Sequence, residues 1–419
     1  MRDNITKFLN QFDLDVRKTG DARFADQKCT PDVVCFIADC ILNIVHSGQS
    51  FTVNDIWESQ YFIKNAVAVF GKPLPTNPTA RHEYDKFIQQ PLRLLGCAHV
   101  LNVTKSGNSN IYSISDEDML DYISRRERNT FNFLFCYFHK VMVDSGMWKY
   151  FQEFIDKSKR EGATRSDYMY LRDKFIRFMI GNTNINTNVE VRRIFPKILN
   201  IFAVDNGICG SERGTISKYP FTFSDLMYNR KNWRDVNKDK SMTRQEAADE
   251  AIDTQQEAFS KYYIQKAIAL IRKIQKESEV HDQWSNGPAT HVHHIFPRSE
   301  FPQIAHYVEN LILLTATQHN TKAHPNNNTH VVDRDYQLVL LLAKSETIEK
   351  SIRLVGDKYY RKESFVYVIN TGLSVEWSTT LSFEDIRHLL IQTNIVLNKI
   401  KKKKKEVVTK AENNYLSRE

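Results

Sequence analysis

Apolar side chains recur at helical spacing through most of the chain, and only a few short runs read as strands. Val34, Ile37, Ala38, Ile41, Ile44 and Val45 predict a helix opened by Thr30-Pro31 and ended by Ser47-Gly48. Thr52, with Asp55 three residues on, has the form of a capping box opening a second helix. A third runs from near Thr79 to Leu95-Gly96, with Pro91 marking a kink or restart. Val100–Val103, the turn Ser106-Gly107-Asn108 and Asn110–Ile114 then predict a β-hairpin. Amphipathic helices follow near 130–145, 147–159, 166–180 and 187–203, and 205–243 reads as a loop. Thr243–Glu246 forms a second capping-box pattern, opening a long helix whose periodic apolar positions run through Ile274. Two more strands are expected, His291–Ile295 and Asn310–Thr315. After them Thr317 can cap a short helix through Lys322, terminated by Pro325. The remainder holds the strand-like run Phe365–Asn370 and a helix over Phe383–Leu397, with a fraying polar end.

This pattern predicts an α+β fold, mainly helical, in four segments: 1–125, 126–280, 281–345 and 346–419. A chain of 419 residues accommodates about two or three domains, and no fixed-period repeat suggests a solenoid. With 41% hydrophobic and 26% charged residues, disorder throughout is excluded. The longest apolar stretches, such as Leu338–Ala343, are too short to span a bilayer, and the first residues hold no apolar export core. Six cysteines are scattered without a CxxC pair, against both a disulfide framework and a four-thiolate zinc site. A cytoplasmic location is therefore expected. The net charge of +8 narrows the picture less than it first suggests. Lys399 and Lys401–Lys405 supply six cations, and without them 52 basic residues face 50 acidic ones. The excess is a tail property, suited to non-specific attraction to nucleic acid.

The three helices and hairpin of 1–125 resemble the winged-helix variant of helix-turn-helix. That resemblance implies a helix, Arg81–Leu95, entering the major groove and a wing, Lys105–Asn110, against the backbone. A small module that only packs or binds protein would show the same elements. A second candidate is the run Tyr228–Asp235, where basic, amide and aromatic side chains interleave in a way suited to phosphates and base edges. The candidate DNA contacts are thus Arg81, Arg93, Lys105, Arg230, Asn232 and Arg234.

The segment richest in chemistry is Thr290–Ser299, reading Thr-His-Val-His-His-Ile-Phe-Pro-Arg-Ser, followed by Asn310-Leu311 and by His319 nine residues beyond Asn310. Neutral imidazole serves well as a base near neutral pH and as a metal ligand. Successive strand side chains point to opposite faces, so His293 and His294 cannot share one task. The order strand, long loop, strand, helix, with these residues, resembles the HNH or ββα-metal nucleases over His291–Pro325. The resemblance implies His293 and His319 as metal ligands and His294 as general base. It also implies that Asn310 ties the long loop and holds His294. The paired CxxC frame common in that family is absent. In its His-rich members a further ligand follows the last His by four residues, where this chain has Ala323. His324 is one residue late, about 140° round an α-helix, and reaches the site only if the helix has already ended. His291, two residues before His293, is a comparable outlying candidate.

Together these readings imply a sequence-specific double-strand DNA endonuclease resembling type II restriction enzymes of the HNH class. Mg²⁺ is expected by abundance, while imidazole ligands would also accept Mn²⁺, Ni²⁺ or Zn²⁺. The partners implied are duplex DNA, with a homodimer on DNA admitted, and a cognate methyltransferase as genetic partner. The alternatives are a homing or toxin-type HNH nuclease and a non-catalytic winged-helix regulator.

Overall fold

The computed structural model describes residues 2–46, 48–107, 109–228, 260–324 and 333–393. The fold is α+β and mainly helical, with small antiparallel sheets. The chain forms two compact units, Met1–Ala258 and Phe259–Glu419.

The first unit is built around α3 (Pro31–Ile44), after the short helices α1 (Arg2–Leu9) and α2 (Val16–Thr19). Every residue of α3 from Pro31 to Ile41 is buried, because the helix is apolar nearly all round and is enclosed by its neighbours. Ser50–Phe51 form β1, and α4 (Val53–Trp57) opens with the Thr52–Asp55 capping box fully formed. A separate helix α5 (Gln60–Phe70) follows, and then α6 (Arg81–Cys97), continuous through Pro91. The hairpin β2 (Leu101–Ser106) and β3 (Ser109–Ile114) gains β1 as an outer strand, giving the order β1-β3-β2. Gly96 lets it seat on α6, since a Cβ there would collide with Val103. Helices α7 (Glu117–Arg125), α8 (Glu127–Asp144), α9 (Trp148–Glu161), α10 (Arg165–Asn182) and α11 (Asn188–Asn206) follow.

The expected loop over 205–243 is not one throughout. β4 (Cys209–Glu212) and β5 (Thr215–Pro220) pair antiparallel. The two residues joining them, Arg213 and Gly214, have φ of 49° and 81°, the positive values that a twisted two-residue hairpin turn demands. Residues 229–259 lie outside the described residues, and with them the capping box at Thr243.

The second unit contains the helix 260–274 (α12), β6 (Ala289–His294), β7 (Leu311–Thr315), α13 (Arg334–Val355), α14 (Lys362–Leu373) and the helix 383–393 (α15). The run Phe365–Asn370, expected as a strand, lies in α14. Phe365, Val366, Val368 and Ile369 are buried, a spacing that fills one helical face, so burial overrides their β-propensity. Gly372 on the same helix admits the Phe296 ring, which a Cβ would displace. β7 is buried at all five positions and pairs with β6 on one edge. On its other edge the Glu279 amide donates to the Leu313 carbonyl at 3.0 Å, and the Leu313 amide donates to Glu279 Oε1 at 2.9 Å. The second edge therefore leaves no ladder group open at Leu313. Among the described residues no helix is long and apolar enough to cross a membrane.

Candidate metal centre

β6 pairs His293 with Ile312 and His294 with Leu311 across β7, so adjacent imidazoles leave the strand on opposite faces. His293 is buried, on the face toward the turn that follows β7. That turn, Gln318–Ala323, is a single π-helical turn rather than the expected α-helix. Its opening is held by Thr315, whose hydroxyl accepts from the Gln318 amide at 3.3 Å, whereas Thr317 makes no side-chain cap.

The π-turn decides which imidazoles converge. The His324 amide donates to the His319 carbonyl at 3.0 Å, an i→i+5 bond that puts His324 about one turn above His319. The 140° offset of an α-helix does not apply here. His293, His319 and His324 converge, with one nitrogen of each within 4.8 Å of the others. The ring centroids are 5.4 Å apart for His293–His319, 4.7 Å for His293–His324 and 4.9 Å for His319–His324. Burial, and then the neighbouring His324 and His319, push the His293 pKa well below the ordinary imidazole value and keep it neutral. His291 stands at the edge of the cluster. Its ring is 5.0 Å from His319, and its Nδ1 is 3.1 Å from the Thr290 hydroxyl.

His294, on the other face, places Nε2 3.0 Å from the Ala305 carbonyl. A carbonyl only accepts, so Nε2 carries the proton and Nδ1 is the basic nitrogen. Burial lowers the His294 pKa despite the Ala305 bond, and the charge of Arg298 adds to the lowering. The orientation of His294 thus comes from Ala305, not from Asn310 as expected. Asn310 is fully buried and acts on the loop. It accepts from the Phe296 amide at 2.9 Å and donates to the carbonyls of Phe296 and Ile304 at 3.1 and 3.3 Å. It thereby fixes both ends of the segment that carries the Ala305 carbonyl.

Gln318, which no motif in the sequence marks, also braces the site. This buried amide accepts from the Ser278 hydroxyl at 2.6 Å and the Thr315 amide at 3.0 Å. It donates to the Val280 carbonyl at 2.8 Å and to Asp282 Oδ1 at 2.9 Å. Gln318 joins the end of β7, the segment before β6 and the start of the π-turn, directly beside His319. Its only sequence signal is an amide set between an apolar strand and a histidine. Gln337 adds a further brace, donating to the Ile295 carbonyl at 2.6 Å.

The candidate DNA contacts lie elsewhere. Arg81 is exposed at the start of α6 and Arg93 is half-buried twelve residues on, about 120° round the helix, so the two do not share a face. Lys105 is exposed on β2. Arg230, Asn232 and Arg234 lie outside the described residues, as do Pro325 and the lysine run at 401–405. Tyr228, at the head of the expected DNA loop, is packed rather than free. Its hydroxyl donates to Glu83 of α6 at 2.7 Å, and its ring lies among Phe70, Phe87, Lys28 and Lys72.

No family model matches the chain, and neither a curated protein nor a solved structure matches it.

Proposed function

We propose that the second unit carries a metal-dependent phosphodiesterase site of the HNH, ββα-metal type, and that the protein is a DNA endonuclease. The observation that carries this reading is the pairing of a three-imidazole cluster with a neutral His294 on the opposite face of the same strand. His293, His319 and His324 would hold one divalent ion and leave part of its coordination sphere for a ligand. When bound, such an ion supplies charge stabilisation at a phosphate and at the departing oxygen. The donor set contains no carboxylate among the described residues. It suits Zn²⁺, Ni²⁺ or Mn²⁺ better than Mg²⁺, which prefers oxygen ligands.

His294 does the proton work in this reading. Its Nδ1 takes a proton from the attacking water while Ala305 holds the ring through Nε2. The depressed pKa keeps it unprotonated at neutral pH. The helices and three-stranded sheet of the first unit fit a winged-helix DNA reader. Restriction-type cleavage at a defined sequence, with a protecting methyltransferase as genetic partner, is the finer form of the proposal.

The test is incubation of the full chain with plasmid DNA and Zn²⁺, Ni²⁺, Mn²⁺ or Mg²⁺ in turn, followed by sequencing of the ends. His294→Ala should lower the cleavage rate by about 10²–10⁴-fold while metal binding persists. A variant cutting at more than half the wild-type rate removes His294 from the base role.

A further inference from the structure

The first unit contains a cleft of about 490 Å³ between one face of α6, the first two turns of α11 and the segment Arg23–Gln27. Its lining includes four cations, Arg23, Lys86, Arg93 and Arg193, and two carboxylates, Asp26 and Glu190. Both carboxylates are committed to one cation, because Arg23 bridges Asp26 and Glu190 at 2.7 Å each. That triad sums to −1, so with Lys86, Arg93 and Arg193 the lining carries a net charge of +2. A concave wall with a net positive charge concentrates positive potential and draws anions.

The cations are also ordered. Lys86, Gln89 and Arg93 follow one another at helical spacing on α6, and His82 is one turn before Lys86. This polar stripe extends about 16 Å along the helix, or roughly five base steps at 3.4 Å per step. Lys86, Gln89 and Arg93 line the cleft and His82 continues the stripe one turn beyond it, a length greater than one phosphate and suited to a repeating anion. We propose that the cleft seats backbone phosphates of duplex DNA, with Lys86 and Arg193 as their cationic contacts on α6 and α11. The proposal rests on the nuclease reading and extends it, adding α11 to the surface that the sequence assigned to α6.

Binding of a fluorescent duplex to the full chain, without metal and across a salt series, tests it. The double variant Lys86→Ala/Arg193→Ala should bind more weakly and flatten the slope of log K against log salt by about 1.8, or about 0.9 per lost phosphate contact. The charge-keeping variant Lys86→Arg/Arg193→Lys should retain the slope, which separates lost phosphate contacts from a folding defect. An unchanged slope in the alanine variant, while the wild type binds and cuts DNA, overturns this inference alone. A wild type that neither binds nor cuts DNA overturns both readings. In a parallel arm with ATP and inorganic phosphate, saturable binding that duplex DNA does not displace would make the cleft a small-anion site and overturn the DNA assignment.

Discussion

Lysine, glutamate and tyrosine side chains meet in both units, with two lysines in the first and one in the second. In the first, Glu83 of α6 accepts from Lys28, from Lys72 at 3.1 Å and from the Tyr228 hydroxyl at 2.7 Å. In the second, Lys344 of α13 donates to Glu279 at 3.0 Å and to the Tyr360 hydroxyl at 3.1 Å. Each lysine also lies over a tyrosine ring, at 4.4 Å for Lys28–Tyr228 and for Lys344–Tyr360. What differs is water. The Lys28 and Glu83 side chains are 12% and 45% exposed, whereas those of Lys344 and Glu279 are 0% and 1% exposed.

That difference changes what the cluster can do. Glu83 is close to solvent and can be rehydrated when its cations are lost, which weakens the tether. In the dry interior, neither ion can stand alone. Burial by itself disfavours the charged Lys344, and Glu279 and Tyr360 more than restore it, raising its pKa. The buried cluster also reaches the candidate metal centre through the backbone. Glu279 accepts from Leu313 on β7, and β7 leads through Thr315 and Gln318 to His319. The exposed cluster holds the chain at Tyr228 against α6.

The largest expected effect comes from Glu279→Ala, which strands a buried lysine and removes the acceptor of the Leu313 amide. A loss of about 3–5 kcal/mol is expected for the second unit. Glu83→Ala should cost the first unit clearly less, because Glu83 is 45% exposed and its charge is screened. Urea unfolding of the two variants checks the contrast, and equal losses would break it. Replacing both buried ions, as Glu279→Gln with Lys344→Met, keeps an acceptor for Leu313 and removes the charge. It should recover most of the stability lost in Glu279→Ala. A double variant no better than the single one would show that the charges themselves are required.

A smaller effect is expected one step nearer the histidines. Gln318→Ala should weaken Zn²⁺ or Mn²⁺ binding by roughly 10–100-fold, the usual consequence of losing a group that orients a ligand. Calorimetric titration reads this directly, and unchanged affinity would separate the buried network from the metal centre.

The smallest effect is a pH dependence in the first unit. Glu83 is partly desolvated, which raises its pKa, but Lys28 and Tyr228 outweigh this and hold it at about 2, against an ordinary 4.5. A depressed carboxylate stabilises the fold above its unfolded pKa and loses that contribution as the pH falls. The stability difference between wild type and Glu83→Gln should therefore shrink from about pH 4.5 toward pH 2. A difference that stays constant across that window would remove the ionic part of the tether.

Much of the fold was legible in local patterns. The apolar spacing of α3 and α8 to α11, the Thr52–Asp55 box, and the strands around His293 and Leu311 are local properties, set by periods of 3.6 and 2. The alternation of a strand by itself separates His293 from His294. The tertiary structure decided what depends on partners distant in sequence. Phe365–Ile369 became helical because that face could be buried. Asn310 turned to the loop backbone and left His294 to Ala305. Tyr228 docked on Glu83, 145 residues earlier in the chain. The third histidine was beyond local rules too. His324 lies five residues after His319, and only the hydrogen bond from its own amide, one residue longer than an α-helical one, carries it onto the face of His293 and His319. Whether a turn closes at four residues or five is settled by the packing at its two ends, here by Thr315 and Gln318, and no spacing rule contains that information.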